Sequence, residues 1–393
     1  MKYKRISQTN FKLIFNESEY YFNDSTGTVN KENTDNRIKV NSFDNIPTLK
    51  IIPTNNCSLD CKYCYTNNNR CLDKLQFDKI VNLINQYLNL KDDKIVISFV
   101  GGGEPTLNFE LIKHVVEYTE YKKGSKTIIY RLISNGLFSR EVCDFIITYK
   151  FEVFISCDGD YAIESLQQKN NLDKRTFDII QKNIIYLNKH LPNLSINSVI
   201  MDVSMLKHYD SFIKVVNYFK NLNINNLQIN LDINLLRAPL SENIKSLLLH
   251  NLFDFIEWKR KNGNLNYAVS LIYMNPIFLD NRICASFNPN NTIPNMSIMP
   301  NGKVGYCYLD QNNSIIIQDN LNDILTKISQ QEKYQTYIDH RKKCEDCIAR
   351  QICNIVGCPK NYLEVIENKG LDIWCNNIRD IRMNILKYLI LGK

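Results

Sequence analysis

Short apolar runs alternate with amphipathic stretches along most of the chain. From Leu49 the order is LKIIPT, an amphipathic stretch through FDKIVNLINQYLNL, KIVISFV, another through LIKHVVEYTEY, and KTIIYRLIS. It continues with REVCDFIITYK, FEVFISC, TFDIIQKNIIYLNKH, INSVIMDVS, YDSFIKVVNYFKNL and LQINLDINL. The short runs predict strands and the longer ones, apolar at every third or fourth position, predict helices. Six such units predict an α/β fold with a parallel sheet. Right-handed crossovers would curl that sheet into an open, partial (β/α)6 barrel, with functional residues at the carboxyl ends of its strands.

The pattern changes at both ends. Residues 11–30, NFKLIFNESEYYFNDSTGTV, predict a short β-hairpin with an Asn-rich turn and a further turn at Thr26-Gly27, and an Asn/Asp-rich linker follows to Asn45. A helical segment near residues 241–261 closes the repeating region, and from Cys284 the chain is loop-rich. Within that tail MSIMPNGKVGYCY predicts a hairpin turning on Asn301-Gly302, and IWCNNIRDIRMNILKYLIL a closing helix. The expected organisation is an extension and linker over 1–46, the barrel with a bridging helix over 47–280, and a cysteine-rich domain over 281–393.

Composition narrows the classes. The 393 residues are 44% hydrophobic and 23% charged, values of a chain that folds. The charge balance, 48 − 41 = +7, lies in short clusters such as Arg341-Lys342-Lys343, too mild to predict a nucleic-acid partner. No run of about 18 apolar residues and no secretory signal pattern occurs, so neither a membrane partner nor export is expected and the location expected is cytoplasmic. Thirteen cysteines in a reducing compartment then point to metal binding rather than disulfides.

Cys57, Cys61 and Cys64 fall just after the first predicted barrel strand, spaced CxxxCxxC on a polar loop with Asn55, Asn56 and Ser58. At about 3.3 Å of reach per residue the loop can wrap three sulfurs around one face of an iron–sulfur cluster. Three thiolates leave one iron open, as a catalytic zinc keeps an open position. A structural zinc knuckle completed by Cys71, or three unrelated buried cysteines, are the alternatives.

TNNCSLDCKYCYT resembles the signature loop of the radical S-adenosylmethionine (SAM) superfamily, with Tyr63 at its aromatic position near the adenine. Gly102, Gly103, Glu104 and Pro105 after the second strand resemble the family's GGEP motif, which holds the SAM amino group. Ser134, Asn135 and Gly136 end the third strand like its TNG motif. Ser156 to Gly159, SCDG, end the fourth like residues that bind the SAM carboxylate and ribose, through Ser156 and Asp158. The resemblance implies that a reduced [4Fe–4S] cluster on Cys57, Cys61 and Cys64 cleaves SAM to methionine and a 5′-deoxyadenosyl radical, fed by a low-potential flavodoxin- or ferredoxin-like donor.

The later cysteines, C…GxxxxC…CxxCxxxxxCxxxxC…C, resemble the SPASM domain of radical SAM enzymes, which binds two further [4Fe–4S] clusters; four residues stand between Cys353 and Cys358 where three are usual. Carried over, Cys344, Cys347, Cys353 and Cys375 would saturate an outer cluster. Cys284, Cys307 and Cys358 would hold an inner cluster with no fourth cysteine. A pair of zinc sites drawing in His340 is the alternative. Cys71, Cys143 and Cys157 have no partners by spacing and are expected in the core or in loops.

Proteins with this combination mostly modify peptides. The expected substrate is a ribosomally made precursor peptide or protein, and the expected product a cross-link, with a thioether favoured and a carbon–carbon bond the variant. Formylglycine formation, peptide epimerisation and a zinc-stabilised binding protein are the alternatives. Against formylglycine formation, Tyr308 stands where that class has its aspartate after the GxxxxC cysteine, and Asp310 comes two residues later. The amino-terminal hairpin also resembles leader-peptide recognition elements, in which a peptide adds a strand to a sheet edge.

Overall fold

The computed structural model describes every residue except 8–9, 24–27, 34–45, 65, 67–72, 168–171, 201–211, 273–294, 310–314, 317–319, 330–335, 338, 341, 345, 354, 356–357, 369 and 393. Its strands are β1 (Lys2–Arg5), β2 (Asn10–Phe15), β3 (Ser18–Asn23), β4 (Thr28–Asn30), β5 (Thr48–Ile51), β6 (Lys94–Phe99) and β7 (Thr127–Ser134). They continue with β8 (Glu152–Ser156), β9 (Ser195–Ile200), β10 (Asn226–Leu231), β11 (Asn266–Val269), β12 (Asn295–Ile298), β13 (Lys303–Gly305) and β14 (Ile315–Ile316). The helices are α1 (Val81–Leu88), α2 (Phe109–Lys122), α3 (Arg140–Thr148), α4 (Tyr161–Gln167), α5 (Lys174–His190) and α6 (Phe212–Asn221). After them come α7 (Glu242–Lys261), α8 (Leu321–Ser329), α9 (Pro359–Glu367) and α10 (Leu371–Leu391).

Strands β5 to β10 are the six expected barrel strands, parallel neighbours in chain order. They are rich in Val, Ile and Leu because both faces of a parallel sheet are covered; β6, KIVISF, is buried from its second residue onward. Side-chain caps fix where the intervening helices start. Ser139 Oγ accepts the Val142 N–H at 3.4 Å, Asp173 Oδ1 the Thr176 N–H at 2.7 Å, and Ser241 Oγ the Ile244 N–H at 3.3 Å.

The sheet exceeds the expectation at both edges. β11 adds in parallel to β10, and β12 adds in parallel to β5 before turning antiparallel into β13 and β14, giving ten strands in one open sheet. The turn at Asn301-Gly302 is where the sequence puts it, with Gly302 at φ +81. Its hairpin is part of the barrel's own sheet. The boundary expected near residue 280 lies outside the described residues.

The amino-terminal hairpin is the centre of a four-stranded antiparallel sheet, ordered β1-β2-β3-β4. Asn16 and Glu17 turn at φ 48 and 64, the left-handed pair of a two-residue hairpin loop; Thr26-Gly27 lies outside the described residues. Phe11, Leu13 and Phe22 from its inner face form a core with Ile348 and Leu386, the first from the Cys344–Cys358 region and the second from α10. The buried Arg382 of α10 lays its guanidinium 4.5 Å from the Phe22 ring centre and donates to the Ile272 carbonyl at 3.1 Å.

Candidate functional site

Beyond Ile51 the chain leaves the carboxyl end of β5 and returns near Leu75, enclosing a loop. Its neck is tied by hydrogen bonds. Leu75 N–H donates to the Pro53 carbonyl at 2.9 Å, and Thr54 Oγ1 donates to the Asp73 carbonyl at 2.9 Å. The buried Asn108 amide donates to both the Pro53 and the Leu75 carbonyls at 3.0 Å. Cys57, Cys61 and Cys64 lie within this loop, half-buried and outside any disulfide, with a turn closed from Cys64 N–H to the Cys61 carbonyl at 2.9 Å.

The segment after β6 presses against the loop's first turn. Gly103 N–H donates to the Thr54 carbonyl at 3.0 Å and Glu104 N–H to the Asn56 carbonyl at 2.8 Å. A Cβ at Gly103 would stand 1.9 Å from the Asn56 oxygen, so only glycine permits this approach. Pro105 then opens a short 3-10 helix, Pro105–Asn108, capped by the Glu104 side chain.

Glu104 also binds the next strand end. Its Oε1 accepts from Thr106 N–H, Thr106 Oγ1 and Ser134 Oγ at 3.1, 2.8 and 2.8 Å, and its Oε2 from Asn135 N–H at 2.8 Å. Burial pushes its carboxyl above the usual range and these donors pull it back. The Asn135 amide reaches the cysteine loop, 3.8 Å from Cys57 Sγ and 3.4 Å from Ser58 Oγ. On the other flank Thr66 Oγ1 lies 3.0 Å from Cys64 Sγ and donates to the Gly102 carbonyl at 2.5 Å. The Asn135 amide is therefore aimed at the Cys57 sulfur, while Thr66 Oγ1, its one proton committed to Gly102, is placed to accept from the Cys64 thiol.

The fourth strand end supplies Ser156 and Asp158. Ser156 is half-buried at the end of β8, but Asp158 is 0% exposed. Its Oδ2 accepts from the Tyr63 hydroxyl at 2.9 Å and its Oδ1 from Val199 N–H at 2.7 Å. Burial first, then the charges of Asp158, Cys61 and Glu164, hold the Tyr63 phenol protonated. Glu164 of α4, 3% exposed, accepts the Asp158 backbone N–H. Neither Glu164 nor Thr66 nor Asn108 stands out in the sequence.

Of the carboxy-terminal cysteines, Cys344, Cys347, Cys353 and Cys375 lie together. The Cys375 thiol is pushed up to about 11 by burial and then by Cys344, with Cys347 adding to it. The Tyr362 phenol is raised by burial and then by Cys344, Cys375 and Cys353. The fully buried Trp374 indole N–H points at Cys353 Sγ at 3.4 Å. Cys307 is buried just past β13 and Cys358 caps α9. Cys284, Cys71 and Asp310 lie outside the described residues. Cys143 and Cys157 are buried in the core, as expected.

Among the described residues no three His, Cys, Asp or Glu side chains converge closely enough to hold a single metal ion as placed. The amino-terminal triplet suits a larger thiolate-bound group. It offers three thiols outside any disulfide, an amide donor aimed at the Cys57 sulfur, and a glycine-floored wall beside them. Among the described residues no helix is long and apolar enough to cross a membrane.

Residues 51–216 match the radical SAM superfamily model. The chain is 32% identical over 172 residues to an uncharacterized protein of Methanocaldococcus jannaschii, covering 44% of this chain and 58% of that protein. It is 26% identical over 244 residues to the radical SAM cyclopropyl synthase TigE of Paramaledivibacter caminithermalis, covering 56% and 47%. The chain thus spans about half the length of the curated relatives it matches. Native anSMEcpe with bound AdoMet has a similar fold, with TM-score 0.63 at 20% identity over 88% of this chain and 98% of that one. So has Streptococcus suis SuiB bound to precursor peptide SuiA, with TM-score 0.55 at 16% identity over 92% and 97%.

Proposed function

We propose that this chain, which carries a radical SAM domain over residues 51–216, is an enzyme that cleaves SAM reductively and abstracts a hydrogen from a precursor peptide to form a cross-link, a thioether in the first instance. One observation carries the reading. The Cys57, Cys61 and Cys64 loop lies at the end of β5, braced by Gly103 and Glu104 from the β6 end, Asn135 from the β7 end and Asp158 from the β8 end. A [4Fe–4S] cluster held there supplies, when bound, the electron that breaks the carbon–sulfur bond of SAM. The chain's own part is to fix that loop and to keep water from the reacting atoms.

Cys344, Cys347, Cys353 and Cys375 would hold an outer auxiliary cluster, supported by their closeness around Tyr362. Cys284, Cys307 and Cys358 would hold an inner one, whose missing fourth cysteine favours capture of a substrate thiolate and hence the thioether. A peptide substrate is supported by the fold shared with SuiB, whose structure is bound to a precursor peptide. A flavodoxin- or ferredoxin-like protein would deliver the electron. The amino-terminal sheet would take the leader part of the peptide on the β1 edge. Tyr308 packs with Ile52, Val100, Met299 and Ile133 beside Lys50, and a phenol there cannot act as the carboxylate base that formylglycine formation uses.

Protein purified without oxygen and reconstituted is expected to bind about 12 iron atoms, three clusters' worth, and to release 5′-deoxyadenosine with dithionite and SAM. With a cysteine-containing precursor the peptide should lose two hydrogens in mass. Fewer than about four irons per chain would end the proposal. A one-deuterium gain in heavy water would replace cross-linking by epimerisation.

A further inference from the structure

Asp158 stands where the sequence suggests a contact to the bound nucleoside, yet its environment is that of a buried brace. It is 0% exposed, and each carboxylate oxygen already accepts a bond, one from the Tyr63 hydroxyl at 2.9 Å and one from Val199 N–H at 2.7 Å. Ser198 Oγ donates to its carbonyl at 3.2 Å, and the buried Glu164 accepts its N–H. A Cβ at Gly159 would come within 2.6 Å of Ile163, so glycine there lets α4 begin close enough for Glu164 to turn back on this segment. The four polar groups of Asp158 are thus tied to three elements: the cysteine loop, β9 and α4.

A carboxylate so engaged is costly to bury unless its partners stay in place. A ribose hydroxyl could use a remaining lone pair only if this fully buried side chain were opened to the site. The bond to Tyr63 spans 95 positions of sequence and lands between Cys61 and Cys64. It is a second anchor for the loop, additional to the Gly103 and Glu104 contacts. We infer that Asp158 is a positioning residue, which acts on SAM through Tyr63 by latching the cysteine loop to the ends of β8 and β9, with Glu164 holding the latch from α4. The inference rests on the proposed SAM site.

The test is a double-mutant cycle of Tyr63→Phe and Asp158→Ala in the full-length reconstituted protein. It reads iron content, SAM affinity by anaerobic equilibrium dialysis, the electron paramagnetic resonance spectrum of the reduced protein with SAM, and amide exchange over residues 57–64. A latch predicts that Tyr63→Phe weakens SAM about tenfold, broadens the SAM-induced spectral change and speeds exchange in the loop, and that Asp158→Ala adds little in its presence. Asp158→Asn can keep the Val199 bond and donate to the Tyr63 oxygen, so it should return affinity to within about threefold of the unaltered protein; it also serves if Asp158→Ala does not fold. Unaltered SAM affinity in Tyr63→Phe alongside a loss in Asp158→Ala or Asp158→Asn would overturn the inference in favour of direct contact. So would effects that multiply independently. If the unaltered protein binds no SAM, the proposed function fails instead, and the exchange measurement still reports whether the Tyr63–Asp158 bond holds the loop.

Discussion

The loop carrying Cys57, Cys61 and Cys64 hangs from an interior strand of the large sheet and is braced by the ends of the strands beside it. The segment carrying Cys344, Cys347 and Cys353 is not continuous with any strand in the described residues, and its Ala349, Ile352 and Ile355 join the main core. It is held from outside, by α10 through Trp374 and by the amino-terminal sheet through Ile348. The first arrangement fixes thiols by short hydrogen bonds to neighbours close in the fold's own order. The second fixes them by apolar burial against pieces from the two far ends of the sequence. Geometry at the first should thus survive damage to the second, while the reverse dependence is set only by packing.

The largest expected effect separates the two regions outright. Replacing Cys57, Cys61 and Cys64 together by Ala should abolish 5′-deoxyadenosine formation, whereas replacing Cys344, Cys347, Cys353 and Cys375 should remove about four irons and leave SAM cleavage without peptide measurable. Loss of SAM cleavage in both would show that the regions do not load independently. Next comes Gly103→Ala. Its methyl would meet the Asn56 oxygen, and the overpacking should cost about 1–3 kcal/mol and disturb iron loading at the amino-terminal triplet alone, read by iron analysis and thermal unfolding.

Leu13→Ala tests the outer support. Removing a fully buried leucine from the Phe11, Phe22, Ile348 and Leu386 core should cost about 2–5 kcal/mol, with faster amide exchange around Ile348 and none of that change around Cys57. The smallest effect is expected from Trp374→Phe. Loss of the indole N–H to Cys353 should lower the potential of a cluster held there by about 40 mV, seen in an anaerobic redox titration.

What could be read in advance follows the same division. The six strands from LKII to LQINL announce themselves because each is a run of Val, Ile and Leu between amphipathic segments, and the strand-end motifs follow from their positions. β1 is KYKR, a strand made by pairing with β2 rather than by any alternation of its own. β12 could be foreseen as half a hairpin but not as the neighbour of β5, since that pairing joins residues about 250 apart and leaves no local trace. Glu164 was invisible because it acts on a backbone N–H, which every residue possesses. Asp158 was legible as important but its partner was not, since only the folded chain brings Tyr63 to it.

The core shared by Phe11, Leu13, Phe22, Ile348 and Leu386 also sets an order of events during synthesis. Phe22 is made 386 − 22 = 364 residues before Leu386, so at about 5–20 residues per second the inner face of the small sheet waits roughly 20–70 s for its partner helix. Through most of that interval Phe11, Leu13 and Phe22 lack both Ile348 and Leu386 and have only neighbours of the small sheet, such as Met1, Tyr20 and Val29, against them. A nascent chain stalled before α10 is therefore one in which this core is incomplete, and the segment around Ile348 gains its last apolar support only when translation is nearly done.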